Sequence, residues 1–164
     1  KLRKLAATDS LTGLYNRQSG VARIREYLCS MEENETAALI MLDLDDFKVA
    51  NDVFGHACGD QIIAENAAKL KRLFREKDVV CRIGGDEFIA LFRGVPSMGA
   101  LEKRIDELRR GLSFPLPDGL SMSASIGIAA FPNDAADYTG LFRLADASMY
   151  ADKRHRDEDE MKGN

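Results

Sequence analysis

The stretch Val79-Val80-Cys81-Arg82-Ile83-Gly84-Gly85-Asp86-Glu87-Phe88-Ile89-Ala90-Leu91-Phe92 decides the fold. Two apolar runs flank Gly-Gly-Asp-Glu, the pattern of a buried hairpin with its turn signal at Gly84-Gly85. Two adjacent carboxylates at so apolar a tip call for a reason. Upstream, Ala37 to Leu42 is a continuous apolar run that ends abruptly at Asp43, as a strand covered on both faces does. Downstream, Ser121 to Ala130 alternates, with Met122, Ala124, Ile126 and Ile128 facing one way and Ser121, Ser123, Ser125 and Gly127 the other.

Helical spacing surrounds these strands. It recurs at Val21, Ile24, Leu28 and Met31, then from Asp60 on at Ile63, Ala67, Leu70 and Phe74. Ser97 reads as the N-cap of a helix with Met98, Leu101, Ile105, Leu108 and Leu112 on one face, and a last helix carries Tyr138, Leu141, Phe142, Ala145 and Met149. Asp9 to Arg17, with Thr12-Gly13, reads as a turn, and the charge-rich end from Arg154 to Asn164 is expected to fray. The order of helix, strand, helix, hairpin, helix, strand, helix predicts an α/β (α+β) sandwich, a central mixed sheet with surrounding helices.

The chain has 164 residues, 45% hydrophobic and 30% charged, which suits one domain with its own core. Its net charge of -4 argues against wrapping a nucleic-acid polymer, whereas a single nucleotide site needs only local positive charge and a metal. The three cysteines, Cys29, Cys58 and Cys81, form no CxxC pair, which argues against a disulfide framework or structural zinc and for a reducing, cytoplasmic setting. No apolar run is long enough to cross a bilayer and no signal peptide is recognisable. The opening Lys1-Leu2-Arg3-Lys4-Leu5 looks like the end of a helix leading in from an upstream domain.

If the hairpin lies antiparallel beside the Ala37 strand, Asp43, Asp86 and Glu87 meet at one edge of the sheet. Like charges that close repel unless a cation or proton intervenes. Magnesium, which takes one or two carboxylates and is completed by water and phosphate, answers that need. A lone strand-end Asp is more often merely solvated, so the weight rests on Gly84 to Glu87, whose glycines also let a backbone approach a phosphate. A calcium loop starting at Asp43 fails, since Phe47, Lys48 and Phe54 stand where an acid or Asn, a Gly and a Glu are needed. No P-loop or dinucleotide fingerprint is present. Asn51 and Asp60 have the groups to read a guanine edge and Lys48 could touch a phosphate, set against ordinary turn and cap chemistry. For His56 a structural hydrogen bond and a ligand contact are equally good readings.

Gly84-Gly85-Asp86-Glu87-Phe88 resembles the signature of the GGDEF domains, the bacterial diguanylate cyclases. It comes with Asp9-Ser-Leu-Thr-Gly-Leu-Tyr-Asn16-Arg17, Asp43-Leu-Asp-Asp-Phe-Lys48-Val-Ala-Asn51-Asp, Phe54-Gly-His56-Ala-Cys-Gly-Asp60 and Ser125-Ile-Gly-Ile-Ala129, in order and at matching spacing. The resemblance implies a palm-like nucleotidyl cyclase fold in which two GTP condense to cyclic di-GMP with loss of two pyrophosphates. It implies two domains meeting head to head, each with one GTP. Two magnesium ions per site, with manganese an alternative, would be held by Asp43, Asp86, Glu87 and the Leu44 carbonyl. Asp86 would be the base for the ribose 3'-hydroxyl, with Glu87 beside it. Asn51, His56 and Asp60 would hold guanine, favouring GTP over ATP, and Phe47, Lys48 and Lys153 the phosphate end. Arg75-Glu-Lys-Asp78, six positions before Gly84, matches the inhibitory product site, although composition alone makes it a solvated helix end.

The domain is then expected over 9–156, after a linker helix at 1–8 and before a charged tail at 157–164. The chain departs from the family where a Gly-Arg-Asn end is usual; Arg156-Asp157-Glu158 stands there, so an Asp replaces the triphosphate-binding Arg, with Arg154 or Arg156 as substitutes. Hence the rival expectation: a weak or inactive module that binds GTP or cyclic di-GMP as a receptor.

Overall fold

A computed structural model describes residues 7–163. The elements are β1 (Tyr15–Asn16), α1 (Arg17–Ser30), β2 (Ala37–Leu44), α2 (Phe47–Phe54), α3 (His56–Leu73), β3 (Val79–Arg82), β4 (Glu87–Arg93), α4 (Met98–Gly111), β5 (Phe114–Pro115), β6 (Ser121–Met122), β7 (Ala124–Phe131) and α5 (Tyr138–Lys162). Five strands form a mixed sheet in the order β1-β3-β4-β2-β7, with only β1 and β3 parallel. The expected hairpin is β3–β4, and β4 lies antiparallel to β2 as anticipated.

The central strand β2 is apolar on both faces because both are covered. Ala38, Ile40 and Leu42 pack with Ile63, Ala67, Leu70, Leu101, Ile105 and Leu108 under α3 and α4. Leu39 and Met41 pack with Ile24 and Leu28 of α1 and Leu141, Ala145 and Met149 of α5. Burying each of these larger side chains is worth about 1.5–3 kcal/mol, so the two-sided core dominates stability.

Strand β7 is a sheet edge, and its outward N–H groups need partners. Side chains supply them: Asp152 accepts from Ile126 N at 2.8 Å, Ser148 from Ile128 N at 3.2 Å and Asp134 from Ala130 N at 2.6 Å. Arg109 of α4 reaches round this edge to clasp Asp152 with both terminal nitrogens at 2.8 Å. Helix α5 sits on β7 so closely that a Cβ on Gly127 would overlap the Ala145 carbonyl and the Met149 amide.

Several sequence expectations change. Asn51-Asp52, for which turn chemistry is one reading, lies within a helix, α2, and α3 begins at His56 rather than Asp60; Gly55, at φ 89°, allows the sharp bend between them. The single strand expected over 121–130 breaks at Ser123, because Ser121–Met122 pairs with β5 in a separate two-stranded sheet. Within the turn expected at 9–17, Tyr15–Asn16 forms β1, and Asn16 caps α1 by accepting from Ser19 N at 2.9 Å. Met98 is 60% exposed, since it stands in the first turn of α4 beyond the core contact. The end expected to fray is helical to Lys162, tied by Arg156 to Asp152 one turn back. Of the linker helix expected at 1–8, residues 1–6 lie outside the described residues, and Thr8 bridges to Tyr15 rather than continuing a helix.

Gly127→Ala should therefore lift α5 off β7 and destabilise the domain by about 3 kcal/mol, read in chemical denaturation. Stability equal to that of the original chain would contradict the close contact.

Candidate active site

Three strand ends converge at the tip of β3–β4. Antiparallel register sets Asp43 opposite Glu87 on one side and Ser125 on the other. Because side chains alternate along a strand, Asp43 shares the α1/α5 face with Leu39 and Met41. Leu44 N donates to the Asp86 carbonyl at 3.3 Å, which ties the loop before β4 to the end of β2.

The tip is braced rather than loose. Arg82 donates to the carbonyls of Gly84 at 3.1 Å and Gly85 at 2.7 Å and pairs with Asp9 at 3.3 Å. The Glu87 carbonyl accepts from Ile83 N at 3.0 Å and Gly84 N at 3.4 Å. Neither Gly84 nor Gly85 adopts positive φ, so the pair is not needed for a left-handed turn. Gly85 faces open space, and a Cβ on Gly84 would lie 2.9 Å from Glu87 Oε2. The glycines leave room at the tip, and the Glu87 carboxylate folds back over it.

The Asp43 carboxyl is pushed up to about 6, first by burial and then by the neighbouring Asp86 carboxyl. Lys153 of α5 opposes this, reaching Asp43 Oδ2 at 3.2 Å. Burial alone would lower the Lys153 ammonium, yet Asp43, Asp45 and Asp86 together hold it above its ordinary value. The site thus carries excess negative charge that one lysine only partly offsets. Among the described residues no set of three or more His, Cys, Asp or Glu side chains is gathered around one point. Two carboxylates without a closed cage fit a cation that keeps water and phosphate ligands, such as magnesium, and not a four-ligand zinc centre.

Asp45, to which the sequence assigns no role outside the rejected calcium loop, ties this turn to the start of β7. It accepts from Ser123 Oγ at 2.6 Å and from Ser125 Oγ, and lies 3.7 Å from Arg156. The polar side of the alternation over 121–127 was the available signal. Asp46, at φ 55°, holds a left-handed conformation that costs a non-glycine residue about 1 kcal/mol and starts α2 with no side-chain cap.

On the other side of this turn, Asn51 Nδ2 lies 2.9 Å from His56 Nδ1. A Cβ on Gly59 would overlap the Asn51 amide oxygen and crowd Phe47 at 3.3 Å, so glycine there lets α2 lie against α3. Phe47 and Asn51 thus lie against Gly59, with Asn51 also at His56, while Asp60 on α3 and Lys48 on α2 are exposed. A concavity of about 760 Å³ lies instead along the Val49 and Val53 side of α2.

Arg75 and Asp78 meet away from this site. The Asp78 side chain is fully buried and accepts from Arg75 N at 2.9 Å, Arg75 Nε at 3.2 Å and Arg93 N at 2.9 Å. Arg75 stacks 4.5 Å over the Phe92 ring and keeps 42% of its side chain exposed beside a hollow of about 340 Å³.

With this geometry in place, residues 6–159 match the family model for "Diguanylate cyclase, GGDEF domain". The chain belongs to the GGDEF family. It is 36% identical over 93% of its length to the cyclic di-GMP phosphodiesterase PdeR of Escherichia coli, and 37% identical over 89% to the diguanylate cyclase TpbB of Pseudomonas aeruginosa. It spans only 23% and 35% of those two proteins. The GGDEF domain of DgcB from Caulobacter crescentus, solved in complex with c-di-GMP, superposes with a TM-score of 0.81 at 29% identity, covering 94% of each chain. As a GGDEF domain, this one departs from the usual pattern along α5. Ser148 and Asp152 cap the β7 edge, and Arg156 pairs with Asp45 and Asp152.

A carboxyl held above its ordinary value stabilises the fold while protonated, so the metal-free domain should lose stability as pH rises from about 4 to about 6. Asp43→Asn should accordingly raise metal-free stability by about 2 kcal/mol at pH 8, with the gain shrinking toward zero at pH 4 in thermal melts. A variant less stable than the original at pH 8 would show that Lys153, not Asp86, dominates.

Proposed function

We propose that this GGDEF domain is a diguanylate cyclase, condensing two GTP into cyclic di-GMP and two pyrophosphates in the cytoplasm. The observation that carries the reading is the Lys153–Asp43 pair at the strand end beside Asp86, with α2 starting just after it and Asn51 of α2 set against His56 of α3. Asn51, oriented by His56, and Asp60 bind the guanine edge, since an amide donates and accepts while a carboxylate accepts from N1–H and the exocyclic amine. The left-handed turn at Asp46 aims the start of α2, with Phe47 and Lys48, at the phosphates.

Asp43, Asp86, the Leu44 carbonyl and Glu87 would hold two magnesium ions, or manganese in their place, which when bound neutralise the triphosphate and acidify the attacking hydroxyl. Asp86 accepts the proton of the ribose 3'-hydroxyl as that oxygen attacks the α-phosphorus of the GTP in a second copy of the domain. Pyrophosphate leaves, and the reciprocal attack closes the ring. Lys153 exchanges Asp43 for the triphosphate, and Arg156 takes the part of the arginine replaced by Asp157.

A second reading has a specific basis. Asp157 to Glu160 put four acids where the family carries a phosphate-binding arginine, which favours a module that binds GTP or cyclic di-GMP without turnover. Concentrated protein with GTP and magnesium, resolved by chromatography, separates the two. Cyclic di-GMP that rises faster than linearly with protein and disappears in Asp86→Ala supports the cyclase. Calorimetric nucleotide binding with no product supports the receptor.

For product control, Arg75 offers an exposed, pre-stacked guanidinium, whereas Asp78 is a buried staple. Arg75→Ala should weaken cyclic di-GMP binding at least tenfold at a cost of about 1 kcal/mol in stability, and Asp78→Ala should cost about 3 kcal/mol. Retained product binding in folded Arg75→Ala would remove this site from the proposal.

A further inference from the structure

We propose that the groove between α2, the β5–β6 turn and the end of α5 is a docking site for a basic amphipathic helix of a partner protein. The concavity of about 760 Å³ has an apolar floor that includes Ala50, Phe54, Leu116 and Met122. Seven large apolar side chains are exposed among the described residues, and three of them, Val49 (59%), Val53 (66%) and Leu120 (65%), line this groove. A fourth, Met161 (74%), stands between its wall residues Glu160 and Gly163. Single exposed apolar residues are ordinary, but a cluster around one concavity marks an interaction surface.

The rim names the occupant. Asp45, Asp46, Asp118 and Glu160 line the groove, and among the described residues no Lys or Arg does. Asp45 is met by Arg156, whereas Asp46, Asp118 and Glu160 enter no ion pair among the described residues. An apolar floor with an acidic rim complements a helix with one apolar face and flanking Lys or Arg, and repels nucleic acid and anionic membrane. Val49 and Val53, one turn apart on α2, put an exposed apolar stripe along the groove wall, the spacing at which a docked helix places its own apolar side chains. The groove also shares Asp45 and Asp46 with the turn that starts α2, so an occupant would be felt at the nucleotide side of that helix.

The test uses the whole chain without nucleotide, so it stands or falls apart from the cyclase reading. The probe is a fluorescein-labelled amphipathic helix of Leu and Lys, about four turns long, read by anisotropy. Saturable binding is expected, roughly tenfold weaker with Val53→Lys or with Asp118→Lys, and roughly tenfold weaker for a permuted Leu/Lys peptide without an apolar face. Both positions are at the surface, and thermal melts check that the variants fold. Hydrogen-exchange protection is expected at 47–54, 116–122 and the end of α5. Unchanged affinity in Val53→Lys, equal binding of a Leu/Glu helix, or protection elsewhere would overturn the proposal. So would Val53-dependent capture by phosphatidylglycerol vesicles, which would make the surface a membrane contact.

Discussion

Helix α5 rests on the bare backbone of β7 because residue 127 has no side chain, and the rest of the molecule follows from that contact. Any larger residue would hold the helix away by the thickness of a methyl group. At the observed distance Ser148 and Asp152 can reach the outward amides of the edge strand, which would otherwise be open to water or to another chain's strand. One residue further on, Lys153 can then reach Asp43. A single packing requirement thus sets both the protection of the sheet edge and the cation of the site.

The site itself works against the fold. Two neighbouring carboxyls, partly buried, repel each other and raise the free energy of the fold, and Lys153 relieves only part of it. The strain is affordable because β2, the strand that carries Asp43, is the most completely covered element, with both faces in core clusters. Rigidity in β2 and bracing of the tip by Arg82 keep the acids together where a softer framework would let them part. Stability gained in the centre of the sheet holds repulsive chemistry at its end.

Much of this was legible in the residues. Length and apolarity identified β2, alternation identified the buried side of β6 and β7 that carries Met122, Ala124 and Ile126, and helical spacing identified the buried faces of α3 and α4. The acids at the strand ends were also readable, since a buried run that stops at a carboxylate has few other meanings. Helix α2 was not, because Asn51-Asp52 and Asp45-Asp46 look like turn chemistry and the helix depends on a left-handed Asp46 and on Gly59 for its seat. The break at Ser123 escaped for a related reason: alternation continues across it, and only pairing with β5 reveals it. Asp78 could be seen as part of an Arg-x-x-Asp motif, but its burial and its bond to Arg93 N depend on tertiary contact. The Arg82 brace and the Asp45 link to Ser123 and Ser125 join residues too distant in sequence for any local pattern to announce.

The altered end of α5 is a coherent unit rather than a loss. Arg109, Asp152, Arg156 and Asp45 alternate in sign and connect α4, α5 and the end of β2 in one chain of ion pairs. Arg156 is therefore already at the rim of the site, but its charge is spent on Asp45 and Asp152 as long as no phosphate competes. These pairs are 3.6 and 3.7 Å long and partly exposed, in the range where each is worth well under 1 kcal/mol. A triphosphate, with several negative charges and oxygens arranged for guanidinium contact, outbids such a pair electrostatically. If this helix faces phosphate, as the proposed function has it, Asp157 puts an acid there and Arg156, one position earlier, is the cation already held nearby by Asp45.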